Sequence, residues 1–124
     1  MNFEHTDKTK EIISLVSNFI DTRVRPREKE YNDAMATFRE SGDPWQVPHV
    51  LYELKKEAKD LGLWNFSLTG DLGYGLTNLE FAPLAEIMGV GWTSEVFNSS
   101  APDAGNMEVL DKYGSDHQKE KWLT

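Results

Sequence analysis

Apolar residues recur along most of this chain at the spacing of a helix. Ile12, Leu15, Val16, Phe19, Ile20 and Val24 fall at i, i+3, i+4, i+7, i+8 and i+12, one face of a 3.6-residue period. Asp7, Lys8, Lys10, Glu11, Asp21 and Arg23 cover the other faces. Pro26 lacks an N–H and disfavours a helical residue before it, so an end or kink is expected near Arg25. Tyr31, Ala34, Met35 and Phe38 mark a second amphipathic segment, closed by the loop Ser41-Gly42-Asp43-Pro44. A third helix has Pro48 in its first turn, a stripe of Leu51, Leu54, Ala58 and Leu61, and Gly62 as its stop.

Leu63 to Leu68 is short and mixed and reads as an extended connector, and Thr69 to Gly75, with three glycines in seven residues, reads as a loop. Thr77 and Glu80 have the spacing of a capping box. The helix they open carries Phe81, Leu84, Ala85 and Met88 and stops near Gly89 or Gly91, with Pro83 in its second turn. Thr93 or Ser94 is expected to cap a further helix through Glu95, Val96 and Phe97. The pattern leaves open whether that helix crosses Pro102. Met107, Leu110 and Tyr113 continue a helical face to Gly114. Ser115 and Gln118 form a second capping box, after which Trp122 and Leu123 begin an apolar face. Seven helical segments without a convincing strand predict an all-α domain over residues 1–124. The last helix reaches Thr124 before its apolar residues can have buried anything, so an interrupted protein is expected, with apolar surface exposed at Trp122, Leu123 and Trp64.

Composition narrows the function. The 124 residues hold 13 Lys and Arg against 21 Asp and Glu, a formal charge of −8, which disfavours nucleic acid as a partner. Cys is absent, so disulfides, thiolate nucleophiles and Cys-based metal sites are excluded. The N-terminus has no apolar signal region and no stretch approaches a membrane span, so the cytoplasm or an organelle matrix is expected rather than secretion. Gly73 to Asn78 has Asn where a dinucleotide-binding turn needs its third glycine, and no strand precedes it. His5, His49 and His117 lie far apart and are expected to be solvated or locally capping, not metal ligands. No Asp or Glu clearly falls on an apolar stripe, so no catalytic carboxylate is assigned. The four Trp residues, at 45, 64, 92 and 122, are expected to serve core packing before ligand stacking.

Several segments taken in order carry more than composition does. Val24-Arg25-Pro26-Arg27-Glu28 follows the first helix, and Leu54 to Trp64 reads LKKEAKDLGLW. Gly73 to Ala82 joins a glycine-rich loop to an acidic helix, Asn98 to Gly114 reads NSSAPDAGNMEVLDKYG, and Gln118 to Leu123 reads QKEKWL. Together they resemble the N-terminal helical domain of acyl-CoA dehydrogenases, and the Asn98–Gly114 segment looks like the long-chain subgroup that also occurs fused to kinase-like domains. The loop Ser67 to Tyr74 departs from the family habit of Pro before acidic residues and Gly-Gly.

The resemblance implies an orthogonal multi-helix bundle, truncated in its last helix, from an enzyme that removes the α-proton of an acyl-CoA and passes the β-hydride to FAD. It also implies that the base and most flavin contacts lie in a middle β-domain and a C-terminal bundle whose motifs are absent here. No catalytic, FAD or metal residue is therefore assigned, and no cofactor is expected for this chain alone. The parent is expected to be a homo-oligomer that binds acyl-CoA. In the family the helix before the Tyr-Gly turn lines the acyl-tail pocket. Aligned through Tyr113-Gly114, the pocket-facing positions are Phe97, Ala101 and Gly105, with Asn98 and Pro102 beside them. Two of the three are small, so a wall with room for a long or bulky chain is expected. The competing expectation is a self-contained, non-catalytic helical binding or assembly module.

Overall fold

A computed structural model describes residues 4–123. Its helices are α1 (Asp7–Phe19), α2 (Glu28–Glu40), α3 (His49–Asp60), α4 (Asn78–Met88), α5 (Thr93–Val96), α6 (Asp103–Tyr113) and α7 (Asp116–Leu123), and no strand occurs among the described residues. The fold class is all-α, as expected.

Thr6 caps α1, its Oγ1 accepting from the Thr9 N–H at 3.2 Å. The buried face is Thr9, Ile12, Val16 and Phe19. Leu15, expected in the stripe, is half exposed. At about 100° per residue the buried arc is centred between Ile12 and Val16, so Thr9 falls inside it and Leu15 about 80° off. The chain does not break sharply at Pro26. It passes from α-helix into a π turn (Ile20–Val24) and a 3₁₀ turn (Arg25–Arg27) before α2, which buries Ile20 and Val24 and leaves Pro26 exposed.

In α3 the stripe Leu51, Leu54 and Ala58 is buried, joined by Val50, while Leu61 is exposed. The cause is the stop itself. Gly62 turns left-handed at φ +74°, and the Leu63 N–H reaches back to the Ala58 carbonyl at 2.8 Å while the Gly62 N–H meets Lys59 at 2.9 Å. This Schellman turn tucks Leu63 under the helix end in place of Leu61. The Thr77–Glu80 capping box forms, the Thr77 N–H donating to Glu80 Oε2 at 2.9 Å and the Glu80 N–H to Thr77 Oγ1 at 3.3 Å. Leu84 and Met88 of α4 are buried and Ala85 is not.

The main core joins α1, α3, α4, α5 and the connector residues Leu63 and Phe66 in one cluster. α1 packs on α4, α3 on α5 and α4 on α5, while α2 lies against α3 without burying a residue. A second cluster is small: Leu68, Met107 and Leu123 are buried, with Leu72 and Leu110 against them. Leu123 is 5% exposed. This corrects the expectation that the last helix has buried nothing, since α7 docks through Leu123 against α6 and the loop. Trp122 beside it is 64% exposed, as expected, and Trp64 is half-buried.

Candidate functional site

The segment after α5 decides where the candidate residues lie. Neither Thr93 nor Ser94 caps α5: the buried Thr93 hydroxyl donates to the Val90 carbonyl at 2.7 Å, and Trp92 stands at the N-cap without a side-chain bond. The helix ends at Val96 after one turn, because Asn98 enters the left-handed region at φ +54°. The Ser99 N–H closes this turn on the Ser94 carbonyl at 3.0 Å. Helix resumes at Asp103, where the Asn106 N–H bonds the Pro102 carbonyl at 3.1 Å, and Asp103 places a negative charge in the first turn of α6.

No single helix therefore carries Phe97, Ala101 and Gly105 at i, i+4 and i+8. Phe97 points into the main core, fully buried, edge-on to Phe19 with ring centroids 5.7 Å apart and tilted against Phe66 at 6.2 Å. Ala101 and Pro102 are exposed in the turn, and Gly105 is exposed on α6, where an added Cβ would meet nothing within 4 Å. Asn98 alone of the five lines a groove, of about 220 Å³, together with Asp103, Asn106, Met107, Leu110 and Trp122. Met107 and Leu110 give it apolar surface, the exposed Trp122 flanks it, and two carboxamides and one carboxylate complete the lining. Sequence reasoning recognised Met107, Leu110 and Trp122 as apolar helix residues but did not bring them together. The signal was there, because α6 and α7 are joined by a two-residue turn that forces their apolar faces onto one another.

The rest of the candidate chemistry disperses. Among the described residues no three His, Cys, Asp or Glu side chains are placed to hold a metal. His49 has Glu53 four residues on, a spacing given no weight in the sequence, and Nδ1 lies 3.2 Å from Glu53 Oε1. Glu53 is also held by Arg27 at 2.6 Å, and Arg27 bonds Glu30 at 2.8 Å, so the cluster is a surface ion-pair network. The Arg27 guanidinium holds the Glu30 carboxyl below its usual range. None of the four Trp residues is fully buried: Trp92 stacks on Tyr31 at 4.1 Å, Trp64 lies under Lys59, and Trp45 and Trp122 are exposed. Trp92 packs against the main core, as expected; Trp64 is half-buried, and the exposure of Trp45 and Trp122 corrects the core-packing expectation for those two.

The described residues do not by themselves fit a flavin. A pyrophosphate needs free amides at a helix N-terminus or a glycine cradle. The N-terminus of α4 is closed by Thr77 and Glu80, and that of α7 by Ser115 and Gln118, at 2.9 and 3.3 Å. The glycine-rich loop is folded on itself, since a Cβ at Gly73 would lie 2.2 Å from the Leu68 carbonyl oxygen. Asn65 Nδ2 bonds the Leu72 carbonyl at 3.3 Å and Lys8 Nζ the Tyr74 carbonyl at 3.0 Å. Tyr74 OH donates to the Gly62 carbonyl, and burial pushes its phenol above the ordinary tyrosine value. No helix among the described residues is long and apolar enough to cross a membrane.

Comparison with known proteins gives one answer. A family model described as acyl-CoA dehydrogenase, N-terminal domain, matches residues 6–124. Acyl-CoA dehydrogenase family member 10 of Mus musculus is 44% identical over 112 residues, covering 85% of this chain and 10% of that protein. FadE2 of Mycobacterium tuberculosis, named a probable acyl-CoA dehydrogenase, is 39% identical over 129 residues, 99% of this chain and 30% of that protein. A solved structure of a Mycobacterium abscessus protein assigned as an acyl-CoA dehydrogenase superposes with a TM-score of 0.83 at 42% identity. It covers 97% of this chain and 31% of that one. The chain thus spans less than a third of the length of each of these proteins.

Proposed function

The chain belongs to the acyl-CoA dehydrogenase family through its N-terminal domain, and from that premise we propose that it is the helical domain forming part of the acyl-tail pocket wall in a flavin-dependent enzyme. The enzyme would introduce an α,β double bond into a fatty acyl-CoA, and a flavin held outside this domain would supply the hydride acceptor. This chain's own residues contribute shape. Asn98 lines the groove, Phe97 supports it from the core, and Ala101, Pro102 and Gly105 stand exposed outside it, where they would face the rest of the enzyme. The observation that carries this reading is the groove lined by Asn98, Met107, Leu110 and Trp122. Apolar surface with few polar groups around it suits an alkyl chain. The base, the flavin contacts, the homo-oligomer and the cytoplasmic or matrix location belong to the same proposal.

The test uses the natural gene product that contains this chain. It should be roughly three times heavier than the chain, in line with the 30% and 31% coverage of its relatives, and show flavin absorbance. In that protein Gly105→Leu should shift the acyl-length preference toward shorter chains; an unchanged preference sinks the wall assignment. The second reading, a self-contained non-catalytic helical module, is favoured by one observation, the burial of Leu123 against Met107 and Leu68. A colourless product of the chain's own mass, monodisperse and not binding a hydrophobic dye, would establish it.

A further inference from the structure

Among the described residues two other than glycine, Asn65 and Asn98, stand in the left-handed backbone region, at φ +57° and +54°. Glycine would adopt it without steric cost, so the side chains themselves require an account. Asn65 is 2% exposed and its polar groups are all engaged. Its N–H donates to the Phe97 carbonyl at 3.3 Å, its carbonyl accepts from the Leu68 N–H at 3.1 Å, and its Nδ2 donates to the Leu72 carbonyl at 3.3 Å. A backbone carbonyl can only accept, so this last bond dictates which end of the amide is which. Oδ1 must face the other way, and there it accepts from Asn98 Nδ2 at 2.8 Å. Asn98 Nδ2 also lies 2.8 Å from Met107 Sδ.

These bonds join the connector, the glycine-rich loop, the end of α5 and α6 at one point, buried at Asn65 and half-buried at Asn98. They also bridge the two hydrophobic clusters, since Phe97 belongs to the main core and Leu68 and Met107 to the small one. We propose that the Asn65–Asn98 pair is a latch that holds the α6–α7 hairpin at a fixed position on the main core and so sets the width of the groove. Asn98 is then a positioning residue for the wall, acting through Asn65 and Met107. Its bearing on acyl selection rests on the pocket-wall reading above; the latch itself does not.

Asn98→Gly keeps the left-handed backbone and removes only the amide. Hydrogen exchange is measured on the full 124-residue chain, without any acyl ligand, for Asn98→Gly, Asn65→Gly and the double variant. The α6 and α7 amides should exchange about tenfold faster in Asn98→Gly, reflecting the lost part-buried hydrogen bond to Asn65, while those at Val16 and Leu54 keep their rates. The double variant should fall short of the sum of the two single effects, because both singles break the same Asn65–Asn98 bond. Equal acceleration in every helix, additive effects, or no acceleration overturns the latch. Should Asn65→Gly fail to fold, Asn98→Gly alone decides by whether its effect is confined to α6 and α7. Failure here leaves the pocket-wall reading standing, and an unchanged acyl preference in Gly105→Leu leaves the latch standing.

Discussion

The helices α1, α3, α4 and α5 and the hairpin α6–α7 are built on different scales. The first group shares one continuous apolar cluster in which Val16, Leu54, Leu84 and Phe97 have no exposed surface. The hairpin rests on Leu68, Met107 and Leu123, and two of its larger apolar side chains, Val109 and Trp122, face outward. Burial of apolar area is the chief stabilising term, so the two regions should open at different free energies, the hairpin first. The groove lies on the weaker one. A pocket wall placed there can be adjusted by substitution without spending the stability of the whole domain.

The sharpest way to break this comparison is to remove one large side chain from each region. Leu54→Ala leaves a cavity in the main core and should cost about 3 kcal/mol of global stability, read from denaturant unfolding followed by helical circular dichroism. Met107→Ala should cost about 2 kcal/mol, felt as local opening: limited proteolysis should nick α6 or α7 while the global midpoint moves little. If Met107→Ala lowers the midpoint as far as Leu54→Ala does, the two regions are one cooperative unit and the division is wrong.

The same contrast governs how much was legible in the sequence. In the main core the helical period marked Ile12, Val16, Phe19, Leu51, Leu54, Leu84 and Met88, and all are buried. Its misses were at edges. Leu15 lost its place to Thr9 through rotation of the face, and Leu61 lost its place to Leu63 because the Schellman turn reroutes the chain. The hairpin and the turn before it were less readable, since periodicity carries no information on backbone hand. Asn98 looks like any polar residue in a string, yet its left-handed turn separates Phe97 from Gly105 and undoes the i, i+4, i+8 alignment. The partner that holds it, Asn65, is 33 residues away, a distance no local pattern spans. Family resemblance supplied the fold and the family, while the groove needed three dimensions.

Smaller effects sharpen the comparison within each region. Gly105 sits inside α6 with open space at its Cβ position, so Gly105→Ala should stabilise the hairpin by about 0.5–1 kcal/mol by restricting the unfolded chain. That gain should appear as slower α6 exchange with no change at Val16; an equal slowing at both would tie the regions together.

Smallest is a pH effect at the start of α4. The Thr77 N–H, and then the Thr77 hydroxyl, hold the Glu80 carboxyl below its ordinary range, with Lys8 and Thr6 adding to the shift. A carboxyl depressed on folding contributes stability that is fully present above its unfolded value, about 4.3, and is lost as pH falls through the lower folded value. Acid should therefore loosen the first turn of α4, where the Phe81 N–H bonds the Thr77 carbonyl at 2.9 Å, before the middle of α1 or α3 responds. At the other end of the scale, burial raises the Tyr31 and Tyr74 phenols. Their contribution is present below an unfolded value of about 10 and is lost as pH rises through the folded ones. Glu80→Gln should remove the acid response of α4 and leave the alkaline one intact. If both survive in that variant, the capping box is not what the acid titrates.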